Sequence, residues 1–468
     1  MARAAVLTQW EPENPTFWQA SGQSIAKRNL MISIPCLTLG FVISVLWSVV
    51  ALNINSAGFN FTKGQLFMLT ALPQLSGATL RIFYSFMPAR FGGRKWTTFS
   101  TALLLIPATW LGFAVQDPST SYGTLLTIAL LCGLGSGNFA SSMANIGYFF
   151  PAAKKGAANG LNAGFGNLGV SLAQLLIPLA ITLPLFGAFG GEAQSFIKEG
   201  SEHSIWLQNA GFMWVPLIAI AALAAWFGMN DIAEARSSFG QQAVIFRRKH
   251  NWLMCWLYIG TFGSFIGFAG AFALLTKTLF PEVPVMKYAF LGPLIGALIR
   301  PVGGIISDKF GGAKVTLGVF VGMALGVLGV LACLPTLGAD GQLSGGSWPG
   351  FFAMFLVLFT CAGLGNGSTY KMIPTIFSTV CMREVTADGD EAAQKAAHGR
   401  GLQESAAAAG FISAIGAYGG FFIPQSFGLS IKSTGGPELA LYVFIAFYIS
   451  CVWMTWHFYA KPKAQLPC

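Results

Sequence analysis

Two arginines stand within long apolar stretches, at matching places in two copies of one pattern. The segment GATLRIFYSFMPARFGG carries Arg81, and GALIRPVGGIISDKFGG carries Arg300. Gly77, Ala78, Arg81, Phe91, Gly92 and Gly93 recur as Gly296, Ala297, Arg300, Phe310, Gly311 and Gly312, at a constant offset of 219. A charge at the centre of a bilayer costs about 2.5–3.5 kcal/mol on insertion scales. A guanidinium offers there a planar fork of donors that matches a small oxyanion through paired hydrogen bonds. The 17 Asp and Glu residues fall in loops or at the ends of apolar segments, which leaves both arginines without a carboxylate at that depth. The implied counter-charge is a small anion held between two related halves. Bonding of each arginine to carbonyls of a broken helix is the structural alternative.

The elements that position these arginines must cross a membrane. The chain of 468 residues is 54% hydrophobic and 9% charged, against roughly 25% charged in a soluble domain. Its mean hydropathy is +0.62. Twelve windows are long enough to span hydrocarbon as helices: 30–52, 65–88, 97–116, 122–150, 156–188, 206–229, 251–276, 285–307, 314–336, 348–378, 401–431 and 437–460. They lack period-two alternation and are too long for strands, which excludes a barrel. The expected class is an all-α, multi-pass membrane protein. The first 29 residues are polar and show no apolar run of a cleaved signal.

A net charge of +10 raises nucleic acid as a partner. The distribution argues against it. With both termini cytoplasmic, cytoplasmic segments hold 19 of the 27 Lys and Arg residues and external loops hold five. The other three, Arg81, Arg300 and Lys371, fall inside apolar segments. This is the positive-inside bias of a membrane protein. The eight cysteines have no paired spacing and the four histidines form no cluster, so neither a metal nor a disulfide framework is expected. Gly164-Phe-Gly-Asn-Leu-Gly169 matches a dinucleotide fingerprint but lacks its strand and acidic residue, so no cofactor is expected.

The arginine repeat has company. GLGSGN at 133–138 parallels GLGNGS at 363–368, and Gly160, Gly166 and Gly169 parallel Gly410, Gly416 and Gly419. The growing offset places insertions in the second half, mainly a polar loop at 380–403. The expected organisation is an N-terminal segment 1–29, a six-helix half 30–229, a join 230–250, a second half 251–460 and a tail 461–468. Parallel six-helix halves around a midplane site, related by a pseudo-two-fold, describe the major facilitator architecture. The chain has 57 glycines, and small residues let helices approach closely in lipid. Close packing accounts for most of them; smooth surfaces that can rock are the functional reading.

Other candidates for the site are weaker one by one. Phe139 in the fourth window, and Tyr258 and Phe262 one turn apart in the seventh, could wall a flat anion, although most membrane aromatics are packing. Asn167 in the fifth window is a mid-membrane amide that needs partners. It lies on a glycine-lined face that includes Gly164. Ser413 occupies the related part of the second half. Lys371 either faces the pathway or snorkels toward a helix end.

The chain resembles the nitrate/nitrite porter family of the major facilitator superfamily, in its bacterial NarK-like group, over nearly its full length. The resemblance rests on WEPENPTFW at 10–18, IAKRNL at 25–30, GFNF at 58–61, QLFMLTALP at 65–73 and NFASSMAN at 138–145. It rests also on two signature segments, GLNAGFGNLGV at 160–170 and GFISAIGAYGGFFIP at 410–424. It implies nitrate and nitrite as substrates, Arg81 and Arg300 as anion ligands, Asn167 beside them, and Phe139, Tyr258 and Phe262 as pocket walls. Some relatives have Gly where Ala163 stands, and some a neutral residue in place of Lys371.

Coupling is a separate question. Proton symport usually uses a titratable group in the pathway, and no carboxylate falls in a window interior. Exchange of nitrate for nitrite needs none and is electroneutral. The expected mechanism is therefore exchange by a monomer in the bacterial inner membrane. Nitrate:proton symport is the first alternative, followed by a passive channel and, last, a membrane sensor or enzyme.

Overall fold

A computed structural model of the chain describes residues 6–198, 201–233, 243–337, 343–385 and 391–468. Among the described residues, twelve helices are long and apolar enough to cross a membrane. They are α1 (Pro15–Ala57), α2 (Lys63–Tyr84), α3 (Gly93–Ala114), α4 (Tyr122–Phe149), α5 (Ala153–Ala180), α6 (Asn209–Gly228), α7 (Lys249–Leu279), α8 (Val285–Phe310), α9 (Gly312–Ala332), α10 (Trp348–Arg383), α11 (Glu391–Thr434) and α12 (Glu438–Ala460). Each expected window falls on one helix. Strands are short: β1 (Val6–Leu7), β2 (Gln194–Lys198), β3 (Ser201–Ile205), β4 (Asp231–Ile232), β5 (Thr336–Leu337) and β6 (Leu343–Ser344). β1 runs parallel to β4, while β2–β3 and β5–β6 are antiparallel pairs.

The polar N-terminal segment is built into the fold, because its aromatics supply what its apolar content lacks. α1 begins at Pro15, capped by Asn14. Trp10, Trp18 and Phe149 form a buried cluster, and the Trp10 indole donates to the Tyr148 carbonyl at 3.1 Å. One expectation is corrected, the polar loop at 380–403. α10 runs to Arg383 and α11 starts at Glu391; residues 386–390 lie outside the described residues. The stretch EAAQKAAHGRGLQESAAAA is too polar for a hydropathy window but rich in strong helix formers. Glu404 therefore stands inside a helix and not at its end.

Helix ends are set locally. The Thr62 hydroxyl accepts from the Gln65 N–H and the Gln65 amide oxygen from the Thr62 N–H, a reciprocal cap on α2. Gly92 and Gly311, partners in the repeat, take φ of +93° and +91° just before α3 and α9. L side chains rarely adopt that region. The neighbouring brace differs between the halves. In the first, Asp231 accepts from the Arg94 N–H at 2.8 Å and pairs with the Arg94 guanidinium at 3.3 Å. In the second, the main-chain oxygen of Cys468 accepts from the Ala313 N–H at 2.9 Å.

The chain forms two compact units. The first comprises Met1–Arg236, Gly267–Leu294 and Gly420–Ser433, so parts of α7, α8 and α11 join α1–α6. Side chains of α1 and α5 bind these additions. The Gln174 amide donates to the Ala269 carbonyl at 2.7 Å and to Ser48 Oγ at 3.2 Å. Ser171 Oγ donates to the Phe290 carbonyl at 2.9 Å, and the Lys277 ammonium binds the Leu52 carbonyl. The second unit comprises Ser237–Ile266, Ile295–Gly419 and Thr434–Cys468.

Within each unit the repeat reappears as the same helix crossing. In the first, a Cβ on Gly133 of α4 would come 2.6 Å from the Gly77 amide of α2, and one on Gly135 would overlap the Gly40 carbonyl of α1. In the second, a Cβ on Gly363 of α10 would overlap the Gly296 carbonyl of α8. By contrast, nothing lies within 4 Å of a Cβ on Gly160. Gly135→Val should lose more than about 2 kcal/mol or fail to accumulate, whereas Gly160→Ala should change stability by less than about 0.5 kcal/mol. Detergent unfolding curves of the two variants check this contrast.

Candidate functional site

In the first unit, Arg81 lies near the end of α2 and is fully buried. The close crossing at Gly77 and Gly133 brings α2 and α4 together one turn earlier, so the arginine reaches across to α4. Its Nε donates to the Ser136 carbonyl at 2.9 Å, and Nη2 lies 3.5 Å from Ser136 Oγ. The guanidinium carbon sits 4.8 Å from the centre of the Phe139 ring. Phe139 is itself 1% exposed and set edge-on against Phe41. Arg81 and Phe139 are thus brought together as the sequence suggested.

Asn167 belongs to the same unit. It is 1% exposed, yet its amide nitrogen and oxygen both lack a hydrogen-bond partner among the described residues. A buried amide left this way costs about 1–3 kcal/mol, so the position is poor packing and fits a polar ligand. Gly160, Gly164, Asn167, Ser171 and Gln174 follow helical spacing and share one face of α5. Toward Gly160 and Gly164 that face is open, with nothing within 4 Å of either Cβ position. Toward Ser171 and Gln174 it is closed by the hydrogen bonds to α7 and α8 segments described above.

In the second unit, Arg300 of α8 is 7% exposed. Its Nη2 lies 3.4 Å from the Tyr258 hydroxyl, and its guanidinium carbon is 5.8 Å from the Tyr370 ring centre. Nη1 is buried with no partner among the described residues. Tyr258 and Phe262 stack at 5.5 Å. They flank and enter a π-helical turn, Ile259–Gly263, within α7, a distortion often found at functional sites. Arg300, Tyr258 and Phe262 are therefore gathered as expected. Ser413 is buried, and its hydroxyl donates to the Gly410 carbonyl of its own helix at 2.8 Å.

The Lys371 side chain is 51% exposed and its ammonium pairs with Asp308 at 2.6 Å. Windowed hydropathy hides a side chain that leaves the helix toward an acid on α8. Sequence reading also missed Tyr370 on Arg300 and Ser136 on Arg81. Ser136 was within reach, since it sits in the GLGSGN repeat opposite the arginine motif; its counterpart Asn366 is buried with its amide oxygen unpaired.

The sequence profile of the Major Facilitator Superfamily matches residues 36–424. The chain is 53% identical over 460 residues to the nitrate/nitrite transporter NarU of Escherichia coli, covering 98% of this chain and 97% of that one. It is 52% identical over 464 residues to the Salmonella typhimurium protein of the same name, covering 98% of each. A probable nitrate/nitrite antiporter of Thermus thermophilus, NarK2, is 38% identical over 472 residues, covering 100% of this chain and 99% of that one. Among solved structures, the inward-open xylose transporter XylE from E. coli superposes with a TM-score of 0.57 at 14% identity, covering 92% and 96%. An inward-facing bacterial homologue of the lysosomal transporter Spinster gives 0.56 at 16%, covering 92% and 94%. These two support the fold alone. With this fold, this profile and full-length relatives of such identity, the chain belongs to the nitrate/nitrite porter family of the major facilitator superfamily, whose members are membrane transporters and not enzymes.

Proposed function

We propose that the chain exchanges nitrate entering for nitrite leaving across the bacterial inner membrane, with Arg81 and Arg300 each giving a guanidinium to the bound anion. The observation that carries the reading is Arg300: a buried guanidinium in an apolar span, with one nitrogen left unpartnered among the described residues. The unpartnered amide of Asn167 adds a neutral donor of the kind a small oxyanion takes. Phe139, Tyr258, Phe262 and Tyr370 supply flat apolar walls against the arginines. The printed names of the relatives, nitrate/nitrite transporter and antiporter, agree with this substrate and coupling. Both termini are cytoplasmic in this proposal, which the positive-inside bias of the charge distribution supports, and one chain is the working unit. Transport proceeds by rocking of the halves 30–229 and 251–460.

Exchange follows from charge. Uncoupled entry of a monovalent anion would work against about 2.3 kcal/mol per 100 mV, whereas one-for-one exchange moves no net charge. An unloaded carrier would have to bury two guanidinium groups with no anion, so the empty form switches slowly. The competing reading, nitrate:proton symport, gains one observation. Glu404 lies inside α11. Its two oxygens are, however, both taken by Arg248, at 2.8 Å each.

Arg81→Lys and Arg300→Lys should each lose at least about 90% of uptake at normal expression, because an ammonium keeps the charge but not the planar fork. Uptake like wild type in either variant overturns the two-arginine site. Asn167→Ala should weaken nitrate binding about fivefold, equivalent to roughly 1 kcal/mol, while the melting temperature holds or rises, since the lost amide has no protein partner. Binding and melting measured on one preparation separate this from a structural role, which would lower melting and spare binding.

Coupling is tested in liposomes. Vesicles loaded with nitrite should take up nitrate rapidly, with little response to a pH gradient or a protonophore, and vesicles without internal anion should take up little. Glu404→Gln should keep counterflow within about twofold. Strong uptake into nitrite-free vesicles driven by an inward proton gradient, and lost in Glu404→Gln, would establish symport instead.

A further inference from the structure

A second basic pocket lies away from the buried arginines, wholly within the second unit. It measures about 320 Å³ and is lined by residues from the join before α7, the end of α10 and the C-terminal tail. Its lining includes Arg247, Arg248, Lys249 and Arg383 against one carboxylate, Glu384. Arg248 is committed, holding Glu384 and Glu404 together. Those carboxylates push its pKa above the ordinary guanidinium value, the hydrogen bond to Glu404 most, and Glu384 is held below the usual carboxylate range chiefly by its hydrogen bond from Arg248.

Three cations remain. Arg247 and Lys249 are exposed and have no carboxylate partner among the described residues. Lys249 Nζ rests 4.4 Å over one face of the Phe458 ring, and its hydrogens directed away from the ring can meet an anion. Arg383 is fixed by donating from Nη1 to the Gln465 carbonyl at 2.6 Å, with the rest of its fork available. The pocket is not uniformly polar, since Phe377, Val380 and Leu466 form one side. Its depth is defined by the chain: Lys249 is the first residue of α7 and Arg383 the last of α10. The pocket therefore opens at the polar ends of two membrane-crossing helices, where an anionic group in solution or in a lipid headgroup can reach it.

We propose that this pocket binds a phosphate-bearing anion, with Arg247, Lys249 and Arg383 as its ligands. Arginine forks match tetrahedral phosphoryl oxygens bidentately. The anion exceeds nitrate in size, since a single nitrate would not reach all three cations around so large a volume. The apolar side suits the glycerol end of an anionic phospholipid, while a dissolved phosphate would use the cations alone. The site is independent of the exchange reading.

The test uses the purified full chain in neutral detergent and follows its melting temperature. One arm titrates inorganic phosphate against chloride at constant ionic strength. The other titrates phosphatidylglycerol against phosphatidylcholine. The variant Arg247→Gln/Lys249→Gln/Arg383→Gln is compared with Lys63→Gln/Lys287→Gln/Lys432→Gln, which removes equal charge from helix ends elsewhere. Wild type and the control triple should be stabilised at the same concentrations, and the pocket triple should need at least fivefold more. Stabilisation by phosphatidylglycerol alone identifies a lipid headgroup, and stabilisation by phosphate alone or by both identifies a phosphoryl site open to solvent. Equal responses of pocket and control triples, or no selective response of wild type in either arm, overturn the proposal. Should the pocket triple fail to fold, Arg247→Gln alone, an exposed side chain, should still need at least twofold more, and a response identical to wild type overturns it.

Discussion

A guanidinium buried in hydrocarbon has to find oxygen atoms or a ligand, and the helix packing in this chain is arranged around that requirement. Arg81 can use a main-chain carbonyl of α4 only because α2 and α4 almost touch. They touch because Gly77 faces Gly133, where a side chain on either would drive the backbones apart. The same crossing, Gly296 against Gly363, stands one turn before Arg300. Lipid tails are as apolar as leucine, so hydrophobicity does not hold such helices together; close van der Waals approach and polar contacts do. The glycines thus serve the arginines, and the arginines' partners in turn lie on the helices the glycines bring near.

One face of α5 shows how a membrane helix divides labour along its length. At Gly166 and Gly169 the adjacent face fits tightly on α1. On the polar face, Ser171 and Gln174 are tied to carbonyls of α7 and α8, while Gly160 and Gly164 leave open space. Asn167 stands between these regimes, buried but unbonded. An amide at that position gains nothing for stability from the described residues, which is why the proposed function gives it to the anion.

Much of this was readable from the sequence, and the reasons are physical. Twelve spans are legible because a bilayer demands about 20 apolar residues each. The repeat is legible because close crossings tolerate only the smallest residues. Arg81, Arg300 and Asn167 are legible because polar groups at that depth are expensive. What stayed hidden depends on direction rather than type. Lys371 sits among apolar residues in sequence but points outward to Asp308. Tyr370, its neighbour, turns toward Arg300 instead. Glu404 looked like a loop residue because helix propensity and hydropathy separate in an alanine-rich stretch. The packing of the polar N-terminal segment was not legible because three aromatic residues, set far apart, do the work of a longer apolar run.

The two arginines are matched in the repeat but not in their bonding, and that difference bears on mechanism. Arg81 is oriented by both the carbonyl and the hydroxyl of Ser136 and by the Phe139 face. Arg300 has a tyrosine hydroxyl at 3.4 Å, a ring at 5.8 Å and one nitrogen without a partner among the described residues. The repeat keeps the positions of the charges but not the residue at the related place on the facing helix, serine at 136 and asparagine at 366. Under the proposed exchange, the anion would have one donor whose direction is already set and another with unused hydrogen-bonding capacity. Preorganisation of the first limits the entropy lost on binding. The unused capacity of the second is what the proposed exchange needs, because it leaves the unloaded state short of a hydrogen bond that a bound anion would supply.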